Sequence, residues 1–99
     1  MKLVLRPLVE SDLDEASRWY DERQPGLSEI FLKRVGESLA RIEENPRLYA
    51  IAHRDIRRAP LRQFPYGIYY ALIKNEIHVL AVVHDARHPS VWRRRRGPS

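Results

Sequence analysis

The chain contains no cysteine, which excludes a disulfide framework, thiolate-ligated zinc and a cysteine nucleophile, and leaves the redox compartment open. Nor does it contain an apolar run near the ~18 residues of a membrane span. Its start, MKLVLRPLVESDLDE, turns acidic at once instead of presenting a signal core, so the expectation is a cytoplasmic protein with no membrane partner. His53 and His78 stand apart from one another with no ligand spacing of the HxxxH kind, so no metal and no cofactor are expected. There is no internal repeat or linker, and the one biased segment is a terminal arginine run.

What is present is enough for one small domain. At 99 residues a fold buries about 65% of the unfolded chain's surface, which supports one two-layer core but not a large closed substrate cavity as well. A functional site must therefore lie in a surface groove. The net charge of +5 conceals a division: residues 7–46 carry 5 basic and 10 acidic side chains, whereas residues 47–99 carry 11 basic residues against Asp55, Glu76 and Asp85. The second half, at +8, should attract something anionic, whether nucleic acid, an acidic protein segment or a phosphate-rich substrate.

Periodicity divides the chain in the same place. Lys2 to Arg6 reads as a short strand ended by Pro7. Ser11, with Asp14 three residues on, has the form of a capping box, and places a first helix start near Ser11 with Leu13, Ala16, Trp19 and Tyr20 on its apolar face. Gln24-Pro25-Gly26 breaks it. A second helix over Leu27–Glu44 carries the stripe Leu27, Phe31, Val35, Leu39 and Ile42, and Asn45-Pro46 ends it. The period then becomes strand-like over Ile56–Gln63, Tyr66–Ile73 and Glu76–Val83. Lys74-Asn75 suits a tight hairpin, and the last two strands, apolar on both faces, suit the middle of a sheet. Pro60 cannot donate to a ladder, so its strand is expected at an edge or bulge, with Arg57, Arg58 and Arg62 exposed.

Phe64-Pro65-Tyr66 leading into an aromatic strand, then Val83-His84 followed by Arg87, Pro89 and Trp92, resembles the RelE/ParE superfamily of type II toxin–antitoxin toxins, and more the ParE (plasmid stabilisation) branch than the RelE branch. The resemblance covers almost the whole chain. It implies an α+β, two-layer RelE/ParE-like fold in residues 1–93: an N-terminal strand, a helical hairpin and a three-stranded antiparallel meander completing one sheet, with 94–99 as a basic tail. It also implies a hetero-oligomer with a ParD-like antitoxin whose C-terminal segment wraps the toxin. ParE-like members are known as poisons of DNA gyrase and RelE-like members as ribosome-dependent mRNA endoribonucleases, so the branch decides the reaction. An inactive antitoxin-binding homologue is the third alternative.

RelE-type toxins carry an Arg in the strand where this chain has Gly67, and a Tyr near the C-terminus where it has Trp92, whose indole cannot shuttle a proton. A gyrase-binding, non-enzymatic toxin is the preferred expectation. If the chain is an RNase, His84, Arg87 and His88 are the first suspects, because two imidazoles and a guanidinium suffice for acid–base cleavage of a phosphodiester. Arg57, Arg58, Arg62 and Arg87 could together floor an anion-binding groove, and with Trp92 they form the expected partner-binding set. Trp92 should anchor the C-terminal segment on the sheet while Arg93–Arg96 stay available to an anionic partner. Trp19, Tyr20, Phe31 and Tyr70, at core spacings, are expected to be packed inside.

Overall fold

A computed structural model describes residues 1–98. Strand β1 (Lys2–Leu5) leads directly into helix α1 (Pro7–Arg23), four residues earlier than the capping-box reading placed it. Pro7 starts the helix as well as stopping the strand, because its fixed φ suits the first helical position and its missing N–H would be unpaired there anyway. Ser11, now inside the helix, donates its hydroxyl to the Leu8 carbonyl and caps nothing. The second helix, α2, spans Leu27–Glu44 as its stripe predicts, with Phe31, Val35 and Ile42 buried. Its first turn is capped from α1: Asp21 accepts hydrogen bonds from the Ser28 amide at 2.9 Å and hydroxyl at 2.7 Å, and those bonds lower the Asp21 pKa.

Four strands follow, not three. β2 (Ile51–His53) and β3 (Ile56–Pro60) form a hairpin, then come β4 (Tyr66–Ile73) and β5 (Glu76–His84). The five strands make one sheet in the order β1-β5-β4-β3-β2, with β1 parallel to β5 and the other neighbours antiparallel. Lys74 and Asn75 both take positive φ, as a tight hairpin between β4 and β5 requires. β3 ends at Pro60 rather than Gln63, where the chain turns through Gln63 at φ 69. The Arg58 amide donates to the Ala50 carbonyl, so the missing N–H of Pro60, on the same side of β3, falls just past the end of β2.

Both helices cover one face of the sheet, burying Val9, Tyr20, Phe31, Ile42, Ile68 and Tyr70 in the larger core. The Tyr70 hydroxyl reaches the Pro46 carbonyl at 2.6 Å, and burial pushes its pKa up to about 12. The opposite face carries a smaller core of Ile56, Tyr69, Ala71, Leu80, Ala81, Val83 and Trp92. A bulge in β5 opposite Tyr69/Tyr70 leaves Leu80 without a partner and brings Leu80 and Ala81 to the same side. That smaller core is closed by the C-terminal segment: one helical turn, α3 (Ser90–Arg93), followed by a 3-10 turn, Arg94–Arg96.

Candidate functional site

Strand alternation separates the arginines that were expected to share a groove. Arg57 lies opposite Tyr70 on the helix-covered side and donates to the carbonyls of Arg47 and Tyr49, clamping the segment after α2. Arg58, opposite Tyr69, lies on the other face and bonds the Tyr69 hydroxyl and the Asp85 carboxylate. Arg62 is exposed in the loop after β3, near Glu37 of α2. No single floor unites them, because neighbouring residues of a strand point to opposite faces.

Gly67 has a structural reason. A Cβ there would meet the Arg58 Nε at 2.6 Å, so the bare backbone is what lets the Arg58 side chain cross β4 toward Asp85. The strand position that lacks an arginine is thus overlain by an arginine from the next strand, already paired.

A cleft of about 240 Å³ opens between α1 and the ends of β4 and β5, walled by Asp12, Glu15 and Trp19 on one side and by Tyr66, His84 and Arg87 on the other. Trp19 corrects an expectation. It is 48% exposed, not part of the core, and stands edge-on to Tyr20 with the Arg23 guanidinium 3.4 Å from its ring centroid. The edge of the Tyr66–His84 pair, 5.3 Å between centroids, forms the other rim. Burial raises the Tyr66 pKa, and nearby Tyr20 and Glu15 add to it, so its phenol stays protonated near neutrality.

Of the three RNase suspects, the cleft receives His84 and Arg87 but not His88. The His84 Nδ1 accepts from the Ala86 amide at 2.9 Å, closing the turn after β5. His88 is exposed and uses its Nδ1 on the Ser90 amide at the start of α3. Each imidazole has one nitrogen committed to backbone. Among the described residues no group of three His, Asp or Glu side chains is placed to hold a metal ion.

The arginine run is docked, contrary to the expectation that it stays free. Trp92 is 6% exposed and stacks on Tyr69 at 4.3 Å with an interplanar angle of 12°, so the ring anchors the segment and offers little surface to a partner. Arg95 makes a two-pronged pair with Asp12 of α1, at 2.6 and 3.0 Å, with side chains only 15% and 8% exposed. Asp12 also accepts from the Val82 amide, and Arg95 donates to the Leu80 carbonyl, so the pair satisfies the β5 edge beyond the point where β1 ends. Arg96 holds Asp55 in the β2–β3 turn. Only Arg93 and Arg94 of the run are exposed. Sequence reasoning missed Asp12, because its partner Arg95 is 83 residues away and no local pattern marks it.

A helical hairpin on a five-stranded mixed sheet, with an open cleft at the strand ends, defines a small α+β domain. Residues 3–89 match the family model of the ParE toxin of type II toxin–antitoxin systems, parDE, and the chain belongs to that family. A solved chain of the chromosomal ParDE TA system from P. aeruginosa has the same fold, with a TM-score of 0.76 at 17% identity over 85% of this chain and 95% of that one. No curated protein matches the chain. No helix among the described residues is long and apolar enough to cross a membrane.

Proposed function

We propose that this ParE-family toxin acts in the cytoplasm by binding DNA gyrase directly, and that a ParD-like antitoxin neutralises it within a hetero-oligomer. The observation that carries this reading is the make-up of the cleft. An exposed Trp19 faces Arg87 across an open concavity, and a large aromatic beside an arginine is the combination that dominates protein-binding surfaces. The same cleft is poorly suited to RNA cleavage. Its α1 wall carries the Glu15 carboxylate, which repels a phosphodiester, and His88, Trp92 and Arg58 all lie elsewhere. The ParDE neighbour, read together with the family, supports the antitoxin part of the proposal.

The test is to express the chain under tight control and follow two readouts. Purified gyrase incubated with the toxin should accumulate cleaved DNA, and Trp19→Ala should reduce that accumulation at least tenfold while leaving the fold intact. Ribosome-dependent cleavage of mRNA, abolished by His84→Ala or Arg87→Ala, would overturn the reading in favour of a RelE-type endonuclease.

A further inference from the structure

Residues 47–98 contain three carboxylates, and the fold engages all of them: Asp55 with Arg96, Asp85 with Arg58, and Glu76 with His78. Asp12 of α1 takes Arg95, whereas Arg54, Arg93 and Arg94 make no ion pair with a carboxylate among the described residues; Arg54 and Arg93 both lie near His53, and Arg94 follows Arg93 in the chain. The β2–β3 turn presents Arg54, held at φ 54. Its neighbour Asp55 is drawn onto Arg96, which fastens the turn to the C-terminal segment and withdraws the nearest negative charge from Arg54. Arg93 lies beside Trp92, its guanidinium 5.4 Å from the ring centroid, and Trp92 in turn stands 6.4 Å from the His53 ring at the end of β2. Arg94 follows and is exposed. The convergence leaves a mark on His53, whose pKa is lowered by burial and then by Arg93 and Arg54.

We propose that Arg54, Arg93 and Arg94 form a docking surface for the phosphate backbone of nucleic acid. The inference does not depend on which target the toxin poisons. Two features favour a phosphate backbone over an acidic peptide. The three clefts that run along α1 are lined by other residues, and the corner offers exposed charge, which a phosphate backbone engages without the apolar anchor that a protein partner uses. The cations also sit on framework pinned by Trp92 and the Arg96–Asp55 pair, so a repeated array of phosphates meets arginines whose backbone is already ordered.

The experiment measures binding of the full-length chain to a fluorescent 20-base-pair duplex of random sequence across a salt series. Replacing Arg54, Arg93 and Arg94 with Gln should weaken binding at least tenfold at 0.1 M salt and flatten the log–log salt slope by about three, one per lost phosphate contact. Replacing Arg47, Arg62 and Lys74 with Gln removes the same charge elsewhere and should change affinity less than threefold. Equal losses in the two triple variants would overturn the surface in favour of diffuse attraction. Binding of a polyglutamate peptide as tightly as DNA, with the same dependence on the three arginines, would overturn the nucleic-acid assignment. Matching thermal melts of the three proteins establish that the comparison is between folded chains.

Discussion

The two faces of the sheet are buried by different means. On the helix side, 35 residues of α1 and α2 lay apolar stripes over β4 and β5, and the aromatic group Tyr20, Phe31, Phe64 and Tyr66 meets at centroid distances of 4.9 to 6.0 Å. On the opposite side, seven residues of α3 and the 3-10 turn do the covering, with one stacked tryptophan and two ion pairs from the last turn. Arg6 extends this latch by donating to His78 and to the Arg95 carbonyl. A short, strongly charged segment can close a core face when each paired cation finds a carboxylate supplied by a distant element.

If apolar burial dominates both faces, deleting one large ring from either should hurt comparably. Phe31→Ala, from the helix side, should cost about 4 kcal/mol and Trp92→Ala about 3 kcal/mol, read as shifts in the urea midpoint. A Trp92→Ala loss under about 1 kcal/mol would mean that the outer face is held by its ion pairs alone.

Charge is the next lever. Arg95→Ala strands the largely buried Asp12 carboxylate and should cost about 2 to 3 kcal/mol, somewhat less than for a fully enclosed pair. Adding Asp12→Asn should recover part of that loss, and the double-mutant cycle measures the coupling directly. Deleting residues 94–99 should then be as damaging as Arg95→Ala, since the segment that reads as a free basic tail in sequence supplies Arg95 and Arg96 to Asp12 and Asp55.

The helix side has its own flaw. Ser38 is fully buried on α2 and its hydroxyl has no hydrogen-bond partner, so Ser38→Ala should stabilise the protein by about 1 kcal/mol. No gain in thermal midpoint would mean that the hydroxyl is satisfied within its own helix.

The smallest effect separates the two latch pairs. Arg96→Ala should cost only about 0.5 kcal/mol, since Asp55 is half exposed and the pair is screened by solvent. The hydrogen bond from Arg96 holds the Asp55 carboxyl below its ordinary value. Its contribution is therefore present above about pH 4 and fades as the pH falls through the lowered value, so Arg96→Ala should remove part of the acid loss of stability and leave pH 7 to 9 flat.

Periodicity and turn chemistry, both local, were readable in the residues themselves. The α2 stripe from Leu27 to Ile42, the Lys74-Asn75 hairpin and the aromatic β4 each stand where the sequence pattern puts them, and the FPY and HxxRxPxxW segments pointed to the family that the chain matches. β2 was missed because three residues cannot display a period; the Arg54-Asp55 turn was its only signal. Helix α1 was started late because a proline that ends a strand and one that begins a helix look alike in sequence. Which arginines are free was decided only in three dimensions. Arg57 and Arg58 are adjacent in the chain yet on opposite faces, while Arg95 and Asp12 are 83 residues apart and in contact. Composition counts charges but cannot pair them: pairing depends on where β1 stops, where β5 bulges and which carboxylate that leaves within reach.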